Sequence, residues 1–184
     1  MDGPYKRNAT LADIEALPEG KVGELIDGDL YICGRPRSPH ARALSSVSRQ
    51  VDDDDDGPNG WVILPEVEIW FGKNRKNLLV PDISGWRRTR MPEMPDVPRF
   101  DLAPDWVCEC LSPSTARHDK GRKREIYAKH KVGHIWYLDA ELKTLDVYTL
   151  DGSTYRVTQS GANAERAVFA PFSRPLDLAK LWRR

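Results

Sequence analysis

A chain of 184 residues, 40% hydrophobic and 30% charged, has the composition of a single globular domain with a core of its own, and its apolar runs are strand-sized, too short for a membrane span or a secretory leader. The expectation is one domain over residues 1–184, in the cytoplasm, with no membrane partner. The formal net charge of zero excludes a protein coated in positive charge, yet with the five-aspartate run at 52–56 set aside the rest of the chain carries +5.

In chain order, Thr10 reads as an N-cap for a short helix with Leu11, Ile14 and Leu17 on one face, closed by Pro18 and Gly20. "GELIDGDLYICG" alternates around Asp27-Gly28, a dipeptide that favours a tight hairpin turn. "SPHARALSSVSRQV" places Ala43, Leu44, Val47 and Val51 on one helical stripe, and the aspartate run with "GPNG" reads as an exposed loop after it. "GWVILPEVEIWFG" and "NLLVPDISGW" read as two strands joined by a basic turn. The span 87–104, with Pro92, Pro95, Pro98 and Pro104, reads as a long surface loop. "DWVCECL" is a further strand, followed by a helix from near Asp119 to before Gly133. "HIWYLD" and "TLDVYTL" open a meander with a turn at Asp151-Gly152, and Val168, Phe169, Leu176, Leu178, Leu181 and Trp182 return to cover the core. This order predicts an α/β or α+β domain with a mixed central sheet.

Cys108 and Cys110 lie two apart on one strand face, an awkward spacing for a mutual disulfide, and are expected to be reduced and buried. His40, His118, His130 and His134 form no zinc pattern with them. Basic clusters at 72–76, 86–90 and 117–124 lie near the segments that carry the candidate site and keep a polyanion such as nucleic acid in play, with Arg87, Arg88 and Arg90 as candidate phosphate contacts.

Glu109 stands among Trp106, Val107, Cys108, Cys110 and Leu111, where an ionised carboxylate loses hydration unless it finds a partner. Asp82 in "LLVPDISGW" is a second acid among apolar residues, far enough along the chain to occupy a neighbouring strand. Two such acids repel unless a cation or a proton lies between them, which points to metal or acid–base chemistry. On the following helix, Lys123 precedes Ile126 and Tyr127 by three and four residues and shares their sheet-facing side. It either snorkels along the core edge or extends its ammonium to the carboxylates, with Lys120 as the rival candidate. Glu24, beside Leu25 and Ile26, is a fourth charge in an apolar strand, or else an edge-strand glutamate in water.

"ELIDGDL", "SPH" opening a helix, "PDISGW", and "ECLSPST" followed by "HDKGRKREIYAKHKVGHIWYLD", in this order, resemble the Uma-type family of restriction endonucleases. That family is similar in fold to the PD-(D/E)XK nuclease superfamily, and the resemblance runs from about Thr10 to Leu150. It implies a restriction-endonuclease-like mixed sheet flanked by helices. It further implies that Asp82 and Glu109 are metal-binding acids and that Glu24 is the acid from an earlier element; with Mg²⁺ preferring hard oxygen ligands, the main-chain carbonyl of Cys110 is the expected further ligand. Leu111 stands where the superfamily has its lysine, and Lys123 on the helix takes that part, orienting or deprotonating the attacking water. His40 matches the family's histidine position, in reach of the site or in a capping role.

The resemblance thus implies a Mg²⁺- or Mn²⁺-dependent DNA endonuclease, working as a homodimer if each chain cuts one strand. The alternative is a nuclease-like domain that binds DNA or a protein partner without cutting. A glycoside hydrolase using the two acids leaves Lys123 unexplained.

Overall fold

A computed structural model describes residues 3–33, 37–52, 60–112 and 119–183. The remainder of the aspartate run beyond Asp52, "GPNG" before Gly60, and the segment 113–118 that includes His118 lie outside the described residues.

The chain opens with α1 (Leu11–Glu15), where Asp13 accepts the Thr10 N–H at 2.8 Å. Strands β1 (Val22–Ile26) and β2 (Asp29–Cys33) form the expected hairpin. Asp27 and Gly28 have φ of 55° and 88°, the two positive values that a tight primed turn demands. Helix α2 (Ser38–Asp52) buries Ala43, Leu44, Val47 and Val51 and exposes Arg42 and Arg49, so its 3.6-residue stripe faces the sheet.

The next two apolar runs are each two strands. "GWVILPEVEIWFG" divides into β3 (Trp61–Pro65) and β4 (Ile69–Trp70), and "NLLVPDISGW" into β5 (Leu78–Leu79) and β6 (Ile83–Arg87). Glu66 has a left-handed φ of 48°, and Pro81 cannot donate to a ladder, so each run bends at the same level. The halves join different sheets. β4 and β5 complete a four-stranded sheet ordered β2-β1-β5-β4, while β3 and β6 enter the large one. Asp82 sits at that bend, its carbonyl accepting the Glu66 N–H at 3.2 Å.

Strands β7 (Trp106–Leu111), β8 (His134–Asp139), β9 (Thr144–Asp151) and β10 (Thr154–Ala162) complete a six-stranded mixed sheet ordered β10-β9-β8-β7-β6-β3, in which β7 and β8 are the parallel pair. Their crossover carries a wide turn (Asp119–Lys123) and α3 (Arg124–Lys129). The predicted single helix is therefore interrupted: Gly121, with φ −102° and ψ −107°, leaves helical geometry. Strands β11 (Arg166–Val168) and β12 (Pro175–Asp177) pair with each other, and α4 (Leu178–Leu181) closes the fold.

Two cores lie on either side of the large sheet. Under α2 and α4, Trp61, Trp106, Trp136, Phe169 and Phe172 pack with ring centroids 4.9–6.2 Å apart. Each ring removes about 150–250 Å² from water, a gross gain of about 4–6 kcal/mol before chain entropy is subtracted. Leu176, Leu178 and Leu181 join this core as expected, whereas Val168 is 44% exposed on the short strand β11. Under α3 and the small sheet lie Ile26, Ile69, Phe71, Trp86, Val107, Ile126, Tyr127 and Tyr137. The 88–104 span carries no strand, but Trp86 stacks on Phe100 at 5.1 Å and donates to the Leu102 carbonyl at 2.9 Å, which holds it to this core. Among the described residues no helix is long and apolar enough to cross a membrane.

Candidate active site

Alternation along β7 sends Trp106, Cys108 and Cys110 into the α2-side core, and Val107, Glu109 and Leu111 to the α3 side. Cys108 and Cys110 are buried thiols; burial, with Cys110 and nearby carboxylates adding to it, pushes the Cys108 thiol well above its ordinary value and keeps it protonated.

Glu109 is 3% exposed, and the helix beyond β7 supplies its partners. Lys123 and Tyr127 are four residues apart, so they project from one side of the turn and α3. Lys123 Nζ lies 2.8 Å from Glu109 Oε1, and Tyr127 Oη donates to the same oxygen at 2.6 Å. Burial and the adjacent Glu109 charge push the Tyr127 phenol well above its usual range, so it remains a neutral donor.

Glu24 reaches this cluster from β1 in the small sheet. Its Oε1 lies 3.1 Å from Lys123 Nζ and accepts the Val80 N–H at 2.8 Å. Glu24 and Lys123 are 4% and 3% exposed. Lys123 thus takes the sheet-facing, buried position, and its ammonium bridges two glutamates from different sheets. Two buried carboxylates around one ammonium leave an excess of negative charge, offset in part by the Tyr127 hydroxyl and the Val80 N–H that the carboxylates accept.

Asp82 is half-buried at the start of β6. The β6–β7 register pairs Ile83 with Cys108, so one step further Asp82 stands across from Glu109, where paired side chains share a face. Asp82 Oδ2 accepts the Cys110 N–H at 2.6 Å. The N–H and C=O of a strand residue point to the same side, which directs the Cys110 carbonyl toward Asp82 as well.

Lys120 does not bury itself: it is half-exposed, with Nζ 5.6 Å from the ring centroid of Tyr137, the β8 residue paired with Glu109. His40 is buried, and its Nε2 donates to the Leu111 carbonyl at 2.9 Å, which ties α2 to β7 two residues past Glu109. Its Nδ1 makes no hydrogen bond among the described residues. Tyr127 is the residue the sequence reading used only as packing; its place four residues after Lys123 was the available signal. Arg122 was also missed. It pairs with Asp27 and Glu125, bonding Asp27 Oδ1 at 3.0 Å, and so clamps the wide turn to the hairpin tip while holding the Asp27 carboxyl below the usual range.

Among the described residues no group of three or more His, Cys, Asp or Glu side chains is spaced to hold a metal ion. The oxygen donors that share this part of the sheet are the carboxylates of Asp82 and Glu109, opposite each other in register, and the β7 main chain beside Asp82. Such a set is too hard and too small for zinc, and it suits Mg²⁺, which takes one or two carboxylates and keeps several waters.

A crystal structure from Anabaena variabilis, described as that of a "putative nuclease", matches with a TM-score of 0.72 at 22% identity, over 94% of this chain and 97% of the other. That likeness establishes the shared fold, a mixed α+β architecture with a large sheet flanked by helices. Comparison with curated proteins gives no match. The Uma2 family model, described as "Putative restriction endonuclease", matches residues 11–177, and with that span covered the chain belongs to the Uma2 family.

Proposed function

We propose that this chain is a metal-dependent DNA endonuclease that hydrolyses phosphodiester bonds. The observation that carries the reading is the meeting of Glu24, Glu109 and Lys123 in one buried, excess-negative cluster, with Asp82 across from Glu109 in the strand register. Asp82, Glu109 and the Cys110 carbonyl are the residues that would hold Mg²⁺ or Mn²⁺. When bound there, such an ion lowers the pKa of a coordinated water and neutralises charge that builds on the phosphoryl oxygens.

The chain's own groups divide the remaining work. Asp82 and Glu109, fixed on paired strands, would hold the cation in one place relative to Lys123. Lys123, steadied by Glu109 and Glu24, places its ammonium where it would orient the attacking water and offset phosphate charge as a compact point charge. Tyr127 keeps the Glu109 carboxylate in one orientation. Glu24 holds Lys123 in place and offers an acceptor to a second water. Cutting both strands of a duplex with one site per chain calls for a homodimer. Buried, reduced thiols at Cys108 and Cys110 suit a reducing cytoplasm.

The test is incubation of the pure protein with plasmid, linear and single-stranded DNA in Mg²⁺ or Mn²⁺. The expected outcome is cleavage that EDTA stops and that Asp82→Ala lacks. One observation favours the alternative of a domain that binds without cutting: Lys123 is engaged by both glutamates in a cluster almost closed to solvent. DNA binding with intact plasmid in both metals would select that reading.

A further inference from the structure

The fold sorts the basic residues into two kinds. Arg87 lies 4.0 Å from the ring centroid of Trp61 and donates to the Pro171 carbonyl, Arg90 bonds Asp105 at 2.7 Å, and Arg75 bonds Asp101 at 2.5 Å beside Trp70. Arg122 is taken up by Asp27 and Glu125. These guanidinium groups serve the protein's own architecture. Lys73, Lys76 and Lys129, by contrast, are exposed, and among the described residues none of their ammonium groups pairs with a carboxylate.

These lysines come from two segments, Lys73 and Lys76 from the β4–β5 turn and Lys129 from the end of α3, which adjoin at the tip of the β1–β2 hairpin. The Gly28 N–H donates to the Lys76 carbonyl at 2.8 Å, and the Lys76 stem runs 4.0 Å from the place a Cβ on Gly28 would occupy. His130, next to Lys129 at the end of α3, sets its ring edge-on to Phe71 at 5.5 Å and against Gly72, the neighbour of Lys73. Lys129 and Lys76 both act electrostatically on Asp27. With Arg122 counted, four cationic side chains stand at this end against three carboxylates, Asp27, Asp29 and Glu125, so among the described residues the tip is net positive.

The tip adjoins the candidate site. Asp27 is three residues past Glu24, about 10 Å along a strand, and its partner Arg122 precedes Lys123. Uncommitted lysines on flexible stems suit contacts that track a phosphate backbone without reading bases.

We propose that Lys73, Lys76 and Lys129 form a phosphate-contact surface that seats a DNA backbone along the hairpin tip, beside Glu24 and Lys123. The proposal rests on the endonuclease reading and locates its substrate.

The experiment is fluorescence anisotropy of the full chain with a labelled duplex in EDTA across a salt series. The triple variant Lys73→Gln, Lys76→Gln, Lys129→Gln is expected to bind more weakly on every sequence, its log–log salt slope shallower by about 0.9 per lost contact. Its Mn²⁺ affinity by calorimetry should equal wild type. The control Arg75→Gln, Arg90→Gln should keep the wild-type slope, because those charges are already paired. A triple variant with wild-type slope overturns the proposal, as does a wild type that binds no DNA. If the slope changes as expected but wild type leaves DNA uncut in Mg²⁺, the contact surface stands and the endonuclease reading falls. Cutting by wild type with an unchanged triple-variant slope is the reverse result.

Discussion

On one face of β7, Trp106, Cys108 and Cys110 enter a core of aromatic rings under α2, whereas on the other Glu109 stands between Val107 and Leu111 and is held by Lys123 and Tyr127. The two faces answer to different physics. The first is stabilised by apolar area removed from water and by dense packing, so its residues are judged by volume. The second buries charges, which are tolerable only as a connected set, so its residues are judged by partners. A strand fixed by the first face is a rigid mount for the chemistry of the second, and a site on a strand is better positioned than one on a loop.

The sharpest way to break this comparison is Lys123→Met. Removing the ammonium leaves Glu24 and Glu109 buried without their shared cation, with an expected loss of about 3–5 kcal/mol in denaturant unfolding. Cleavage should fall by about 10³-fold or more, while Lys120→Met costs about tenfold or less. Adding Glu24→Gln to Lys123→Met should recover part of the stability and none of the cleavage. Recovery of both would mean that the lysine is structural only. On the opposite face, Trp106→Ala should cost about 3–5 kcal/mol through the cavity it leaves, with the Mn²⁺ affinity of the folded protein unchanged. A large change in Mn²⁺ affinity there would show that the two faces are not separable.

Tyr127→Phe is the smaller perturbation and tests coupling on the α3 side. It deletes one hydrogen bond to Glu109 while keeping the ring, so stability should drop by about 1 kcal/mol. Orientation of a ligating carboxylate matters more than that figure suggests, and Mn²⁺ affinity should weaken about tenfold by calorimetry. Equal Mn²⁺ affinity in the Phe variant would leave Tyr127 a packing residue.

Much of this arrangement was legible in the sequence because burying a charge is expensive. Glu24, Asp82 and Glu109 each interrupt an apolar run, and Lys123 shares a helical face with Ile126 and Tyr127; those conflicts between pattern and residue type are visible without coordinates. Asp27-Gly28 and the α2 stripe were equally plain. The bends at Glu66 and Pro81 were not, since an apolar run reads the same whether it continues in one sheet or turns into another. That ambiguity hid the small sheet, and with it the reason that Glu24 and Glu109 converge. The Gly121 break was hidden because glycine inside a helical pattern is often tolerated. The destinations of Arg75, Arg87 and Arg90 were illegible for a different reason: Asp101, Trp61 and Asp105 become their neighbours only through the folded chain. The repulsion expected between acids also takes a different form, with Lys123 set between Glu24 and Glu109, so neutralising Glu109 removes an attraction as well as a repulsion.

The central claim, that Asp82 and Glu109 form a divalent-cation site, is tested most directly by isothermal calorimetry of Mn²⁺ binding to wild type, Asp82→Asn and Glu109→Gln, each checked for folding by circular dichroism. Binding to wild type that is abolished in both folded variants is the predicted result; the same Mn²⁺ affinity in all three proteins, or no binding to wild type, would contradict it.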